Sequence, residues 1–461
     1  MGLSGLSPQD QSMFVRRCIA LLGVLSVMLV PGVAHARPAA PSLDWGPCTG
    51  LESQQDLRCA SLRLPVDWSA PDGETFDLAV ARRTARQPSQ RAGTLVFGPG
   101  GPGDSGVNRV RRADRFSDEQ LDRFDIVSFD PRTVGGSDAP DCAPDPGGPP
   151  IVLRDQADFD QQIARNRAFW ERCRSTSAVF DHAGTDSTVQ DLDALRRALG
   201  LRDLTFHGSS YGTLLGQQYA ERYPGRVRAV VLESVFDHSL SLEGFVRTQA
   251  LALQDSFDEF VAWCERTGCA PDIRATWRSI VERSGGAFEI ASLPAVYLAL
   301  PDWPGFAQAI KDLDAGGSQP LTIPRPAAGA FCADFPVPVR DHREYRHLMR
   351  VAAQAGPDIR YGSGALAIAT CLGWPQPVAN PPHRLRVHTR TPLLLLNARH
   401  DPRTGHEWAA NVAAQLGRSG RLVTYEGWGH GTYQRNACTI ATVDRYLIDL
   451  TVPVRGSSCA A

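Results

Sequence analysis

The stretch Gly208-Ser209-Ser210-Tyr211-Gly212 constrains this chain more than any other. It fits G-x-S-x-G, and the flanks supply the context this pattern needs: a short apolar strand at 204–206 and a helix at 213–220. A serine on so sharp a strand-to-helix turn presents its Oγ at the end of a sheet. Small residues two positions to either side let neighbouring elements pack against it. The pentapeptide alone arises often by chance; between a strand and a helix it specifies a nucleophile. Ser209 is the rival, but the two glycines frame Ser210.

A serine hydroxyl is a weak nucleophile and needs a general base, itself oriented by a carboxylate. On this scaffold the chain order is Ser, then Asp or Glu, then His. Asp401 follows the apolar strand at 392–397 in Ala398-Arg399-His400-Asp401-Pro402, and His430 follows the next strand in Gly427-Trp428-Gly429-His430-Gly431. Each could be a surface turn; order and strand context together make Asp401 and His430 the expected partners of Ser210. His400 competes but precedes the helix and strand that the geometry requires. Glu233, ending the strand at 227–232, is a second candidate acid.

The oxyanion of an acyl-transfer reaction needs two N–H donors aimed at the developing charge. Tyr211, first after the nucleophile, supplies one. The second is expected from Gly98-Pro99-Gly100-Gly101-Pro102-Gly103, with Gly101 the favoured donor and Gly100 beside it. Two prolines stiffen that turn.

The surrounding pattern is α/β. Strand-like runs at 76–81, 93–97, 124–129, 204–206, 227–232, 392–397 and 421–425 alternate with helical periodicity at 188–199, 213–220, 407–416 and 439–449. Such alternation predicts an α/β-hydrolase fold, a mostly parallel sheet flanked by helices. Between about 237 and 390 it gives way to a helix-rich, proline-punctuated segment containing Trp263, Trp277, Trp303 and Trp374. The expected division is a signal peptide at 1–36, a first core part at 37–237, a helical cap at 238–389, and a second core part at 390–461 carrying the acid and histidine.

The leader rests on Arg16 and Arg17, an apolar run at 18–30, and Ala34-His35-Ala36, with cleavage after Ala36. The run is short for a bilayer core of about 30 Å, so no stable membrane span is expected after cleavage. Export to the periplasm or beyond agrees with the cysteines. Cys18 lies in the leader, and the rest form an even set without CxxC pairs or zinc-type histidine spacing. Disulfides are therefore expected, with Cys48–Cys59, Cys264–Cys269 and Cys438–Cys459 as near-neighbour pairs. A formal net charge of −2 argues against a nucleic-acid partner. Oligomeric state is not written in these features.

The glycine turn, Asp130-Pro131-Arg132, the serine elbow, the run Leu393-Leu394-Leu395-Leu396-Asn397-Ala398-Arg399-His400-Asp401-Pro402 and the histidine loop together resemble the prolyl-aminopeptidase branch of the α/β-hydrolases, and within it the secreted tripeptidyl aminopeptidases. Trp45-Gly46-Pro47-Cys48 and Leu64-Pro65-Val66-Asp67-Trp68 are similar too. The resemblance implies a cofactor-independent exopeptidase that releases short units, tripeptides being the expected ones, from peptides with a free N-terminus. Three positions depart from it: Thr133 replaces a glycine, Glu233-Ser234 replaces Asp-Gly, and Gly373 stands where an acid would precede Trp374. A substrate ammonium needs a carboxylate, for which Glu233, Asp334 and Asp104 are candidates. The alternatives are a secreted carboxylesterase or lipase-like enzyme with the same triad, and a binding protein on an inactive hydrolase scaffold.

Overall fold

The computed structural model describes residues 43–49, 54–142, 150–318 and 328–461, apart from the side chain of Phe288. The expected signal peptide and nearly all of the segment at 37–43 lie outside them. The strands are β1 (Leu57–Pro65), β2 (Thr75–Arg83), β3 (Gly93–Gly98), β4 (Phe124–Phe129), β5 (Leu204–Ser209), β6 (Val227–Glu233), β7 (Leu393–His400), β8 (Gly420–Trp428) and β9 (Ser458–Cys459). They form one sheet in the order β1-β2-β4-β3-β5-β6-β7-β8-β9. The pairs β1/β2 and β2/β4 are antiparallel, and from β4 onward every neighbour is parallel. Order and direction are those of an α/β-hydrolase. β1 was not evident from sequence, because its charged residues Arg58 and Arg63 dilute the apolar signal.

The central strands read as continuous apolar runs because helices cover both faces. In β7, Leu393 and Leu395 enter one core and Leu394 and Leu396 the other, as a two-residue period requires. All four are fully buried, each stabilising the fold by about 1.5–3 kcal/mol. Because β3, β5, β6, β7 and β8 are parallel, the loops leaving their C-terminal ends gather at one edge. That edge carries the glycine turn, Ser210, Glu233, Asp401 and His430.

Between β6 and β7 the described chain builds seven helices, from Leu242–Thr267 to Ser363–Cys371. They have a core of their own around Phe257, Phe260, Trp277 and Phe306. A second aromatic cluster, with Phe236, Phe245, Phe331 and Trp408, joins them to the sheet domain. One boundary differs from expectation. The helix Gln156–Arg174, placed by sequence in the first core part, packs on the helical insertion: Asn166 donates to the carbonyls of Ala369 and Leu372 at 2.9 and 3.0 Å. Trp170 meets Trp374 edge-to-face at 4.8 Å.

The disulfides are Cys48–Cys59, Cys142–Cys173, Cys264–Cys269, Cys332–Cys371 and Cys438–Cys459. They include the three near-neighbour pairs expected from spacing. The other two link residues far apart in sequence, and only the fold brings those together. Among the described residues no helix is long and apolar enough to cross a membrane.

Candidate active site

Ser210 has φ +56°, in the left-handed region that a side chain normally avoids. β5 and the helix Gly212–Arg222 hold it there, and its N–H donates to the Glu233 carbonyl at 2.8 Å. The framing glycines are sterically required. A Cβ at Gly208 would lie 2.4 Å from the Gly212 carbonyl oxygen, and one at Gly212 the same distance from that of Gly98. The elbow is thereby pressed against the turn after β3. A Cβ on Gly100 would come within 3.0 Å of the Ser210 Cβ, and Gly101 has φ +107°.

Asp130-Pro131-Arg132 anchors that turn. Asp130 accepts from the Ser105 hydroxyl at 2.6 Å, the Val107 N–H at 3.1 Å and the Gly136 N–H at 3.0 Å. Arg132 makes a fully buried two-pronged pair with Asp191, at 2.7 and 2.8 Å. Two positions that depart from the family pattern keep a left-handed backbone. Thr133 has φ +67° and Ser234 φ +54°, conformations that favour glycine. Ser234 has a use for its side chain: the hydroxyl accepts from the Gly431 N–H at 2.9 Å and so props the loop carrying His430.

Asp401 and His430 meet as the sequence suggests. His430 Nδ1 lies 3.0 Å from both Asp401 oxygens, and Asp401 is 1% exposed. The same carboxylate accepts from the N–H groups of Arg403 and Thr404 at 2.9 and 3.0 Å, and from the Thr404 hydroxyl at 3.1 Å. Burial opposes ionisation, but the nearby His430 and these hydrogen bonds outweigh it, holding the carboxyl below its ordinary value. It is an anion fixed to orient an imidazole. Thr404 is a site residue the sequence reading missed; the signal was its place in the turn, three residues past the acid. His400, the rival histidine, instead pairs with Asp255 at 2.8 Å and stacks on Trp428.

Ser210 and His430 share one cavity of about 420 Å³, whose wall includes Gly100, Gly101, Phe236 and, from the helical insertion, Ala295 and Leu366. The three candidate ammonium partners fall in different places. Glu233 is 1% exposed and fully engaged: it accepts from Arg115 at 3.3 Å and the Tyr433 N–H at 2.8 Å, and lies 3.1 Å from His207 Nε2. Asp334 is also buried, accepting from the Thr185 N–H, the Asn380 amide and the Tyr211 hydroxyl. It ties Tyr211 to the helical insertion, and it is not among the residues lining the cavity. Asp104 alone lines the cavity, paired with Arg109 at 2.7 Å. A charged residue near a motif cannot reveal by sequence whether it faces inward or outward; of the three candidates, the cavity wall has Asp104. Gly373 supplies no acid to the cavity. It has φ +82°, its Cβ would sit 2.7 Å from Ile163, and it lines a separate surface depression.

A family model described as TAP-like protein matches residues 361–459, the part that carries Asp401 and His430. Over nearly its whole length the chain is similar to three curated proteins. It is 30% identical to serine protease Hip1 of Mycobacterium tuberculosis, covering 96% of each chain. It is 29% identical to carboxylesterase B of the same organism, covering 91% of this chain and 90% of that one. With tripeptidyl aminopeptidase of Streptomyces lividans it shares 26% identity, covering 93% of this chain and 88% of the relative. With the elbow, the acid–histidine contact and the parallel sheet that positions them, this similarity carries one conclusion: the chain belongs to the TAP-like family of α/β-hydrolases and is a serine hydrolase.

Proposed function

We propose that this protein is an exported serine exopeptidase that releases short units, tripeptides foremost, from peptides with a free N-terminus. The observation that carries the reading is the shared cavity: Ser210, a histidine held by a buried carboxylate, and the Gly100-Gly101 turn line one space beneath the helical insertion. The Ser210 hydroxyl attacks the scissile carbonyl while His430 Nε2 takes its proton. The tetrahedral oxyanion is received by the N–H groups of Tyr211 and Gly101. Collapse breaks the C–N bond, and His430 returns the proton to the departing amine. Water then repeats the sequence on the acyl-enzyme, freeing the short peptide and regenerating Ser210. Asp104 is the ammonium anchor of this reading, and the five disulfides support export.

One observation favours a carboxylesterase as the second reading: among the described residues the cavity wall offers a single acid, already held by an arginine. Hydrolysis of mono-, di- and tripeptidyl amides, their N-blocked forms and short-chain esters separates the two. The exopeptidase reading expects release from free-amine tripeptidyl amides, lost on N-blocking and in Ser210→Ala. Asp104→Asn is expected to raise KM for free-amine substrates and leave N-acyl esters unaffected. Cleavage of esters alone would overturn the peptidase.

A further inference from the structure

Three arginines line the cavity, and they differ in what they already hold. Arg109 is paired with Asp104 at 2.7 Å, and Arg115 with Glu233 at 3.3 Å. Arg403 stands apart. Its Nε donates to the Ala295 carbonyl at 3.1 Å, and among the described residues its guanidinium meets no carboxylate. Asp401, two residues back, spends its oxygens on His430, Thr404 and the Arg403 backbone N–H. Arg403 is exposed, and it is one of the residues lining the cavity. The protein packed around it lowers the guanidinium pKa from its ordinary value, against the attraction of Asp401.

We infer that Arg403 is a specificity residue that receives a carboxylate of the substrate, so that the enzyme prefers peptides bearing an acidic side chain close to the scissile bond. The inference rests on the reading of this cavity as the substrate site. Its parts are geometric and chemical. The contact with Ala295, on the helix Phe288–Tyr297 of the insertion, fixes the arginine between the catalytic loop and the cavity roof, so little ordering is needed on binding. The remaining guanidinium N–H groups form the planar array that matches a carboxylate. His430 and Thr404 line the same wall, which puts the recognised group near the reacting carbonyl. Among the described residues the cavity wall carries three arginines and one acid, Asp104, a balance that favours a substrate carboxylate beside Arg403.

The test uses peptide pairs that differ only in Glu against Gln, scanned through the acyl residues and the first leaving residue, as free amines and as N-acetyl forms. Wild type is expected to favour Glu over Gln by about tenfold in kcat/KM at one position, the worth of a charge-assisted hydrogen bond. Arg403→Gln is expected to bring that ratio close to one, and Arg403→Lys to keep part of it. Because the ratio is taken within each variant, any damage to the triad cancels. Equal use of Glu and Gln at every position, or a preference that survives Arg403→Gln, would overturn the inference. The N-acetyl series keeps the two ideas separate. If blocked peptides are cleaved as well as free ones, the exopeptidase reading fails while the ratio still judges Arg403. If only esters are cleaved, 4-nitrophenyl glutarate against the matching glutaramic ester gives the same ratio.

Discussion

Two of the carboxylate–histidine pairs at this edge of the sheet invite comparison. Asp401 and His430 meet at 3.0 Å, Glu233 and His207 at 3.1 Å. The contacts are nearly equal, and the surroundings are opposite. His430 sits on a loop between Gly429 (φ +99°) and Gly431 (φ +83°) and lines the cavity. His207 is inside β5, 1% exposed, edge-on to Phe97 and Tyr433. Burial works against the Glu233 anion, but Arg115 and His207 hold its carboxyl well below the ordinary range. Its atoms join parts of the site: the carbonyl takes the Ser210 N–H, and the side chain takes the Tyr433 N–H beyond the histidine loop. In the proposed reaction, therefore, a carboxylate beside an imidazole is not sufficient; His430 lines the cavity and His207 is buried within the framework.

That contrast can be broken or sharpened by measurement. The largest effect belongs to the nucleophile: Ser210→Ala is expected to lower kcat by roughly 10⁴–10⁶-fold, whereas Ser209→Ala, whose hydroxyl accepts from Arg115, loses about tenfold or less. Reversal of the two in active-site labelling would move the nucleophile. Next comes Asp401→Asn, expected to cost about 10⁴-fold in kcat with the denaturation midpoint little changed. Glu233→Gln should show the opposite balance. Leaving Arg115 facing a neutral amide costs about 1–3 kcal/mol of stability, the worth of a hydrogen bond to a charged group, read as a lower urea midpoint, with the smaller effect on turnover. Equal kinetic losses in both variants at unchanged stability would erase the distinction.

The pH dependence gives a finer test. The Glu233 carboxyl titrates lower in the folded chain than its unfolded value of about 4.3. Its contribution is therefore fully present above that value and is lost as pH falls toward the folded one. Thermal midpoints measured from pH 6 downward should fall less steeply in Glu233→Gln than in wild type; parallel curves would show that the buried pair does not control acid stability. The smallest effect is expected from Thr404→Val, which removes one hydrogen bond to Asp401. It should cost about 1 kcal/mol of transition-state stabilisation, a several-fold drop in kcat with KM unchanged.

The strands at 93–97, 204–206 and 392–397 were legible because buried parallel strands are short apolar runs with glycine or proline beside them. Ser210, Asp401 and His430 were legible because the fold fixes their order and places each just after a strand. The short-range disulfides were legible too, since a few intervening residues leave little choice of partner. Cys142–Cys173 and Cys332–Cys371 were not, because their closeness depends on how the helices around them pack. Glu233 and Asp334 looked like candidates for binding an ammonium because sequence shows charge without direction. Packing turned both inward and gave their oxygens to Tyr433, Arg115, Thr185 and Tyr211.

By itself the sequence determined the α/β pattern, the glycine-framed elbow and the places of Ser210, Asp401 and His430 just after strands, because these follow from local periodicity and glycine placement along the chain. Which acids face the cavity, which histidine is reachable, and which arginine on its wall meets no carboxylate among the described residues were decided by tertiary structure. Those properties belong to surfaces formed when distant segments pack: Arg403 gains its orientation from Ala295, a residue 108 positions away in the helical insertion.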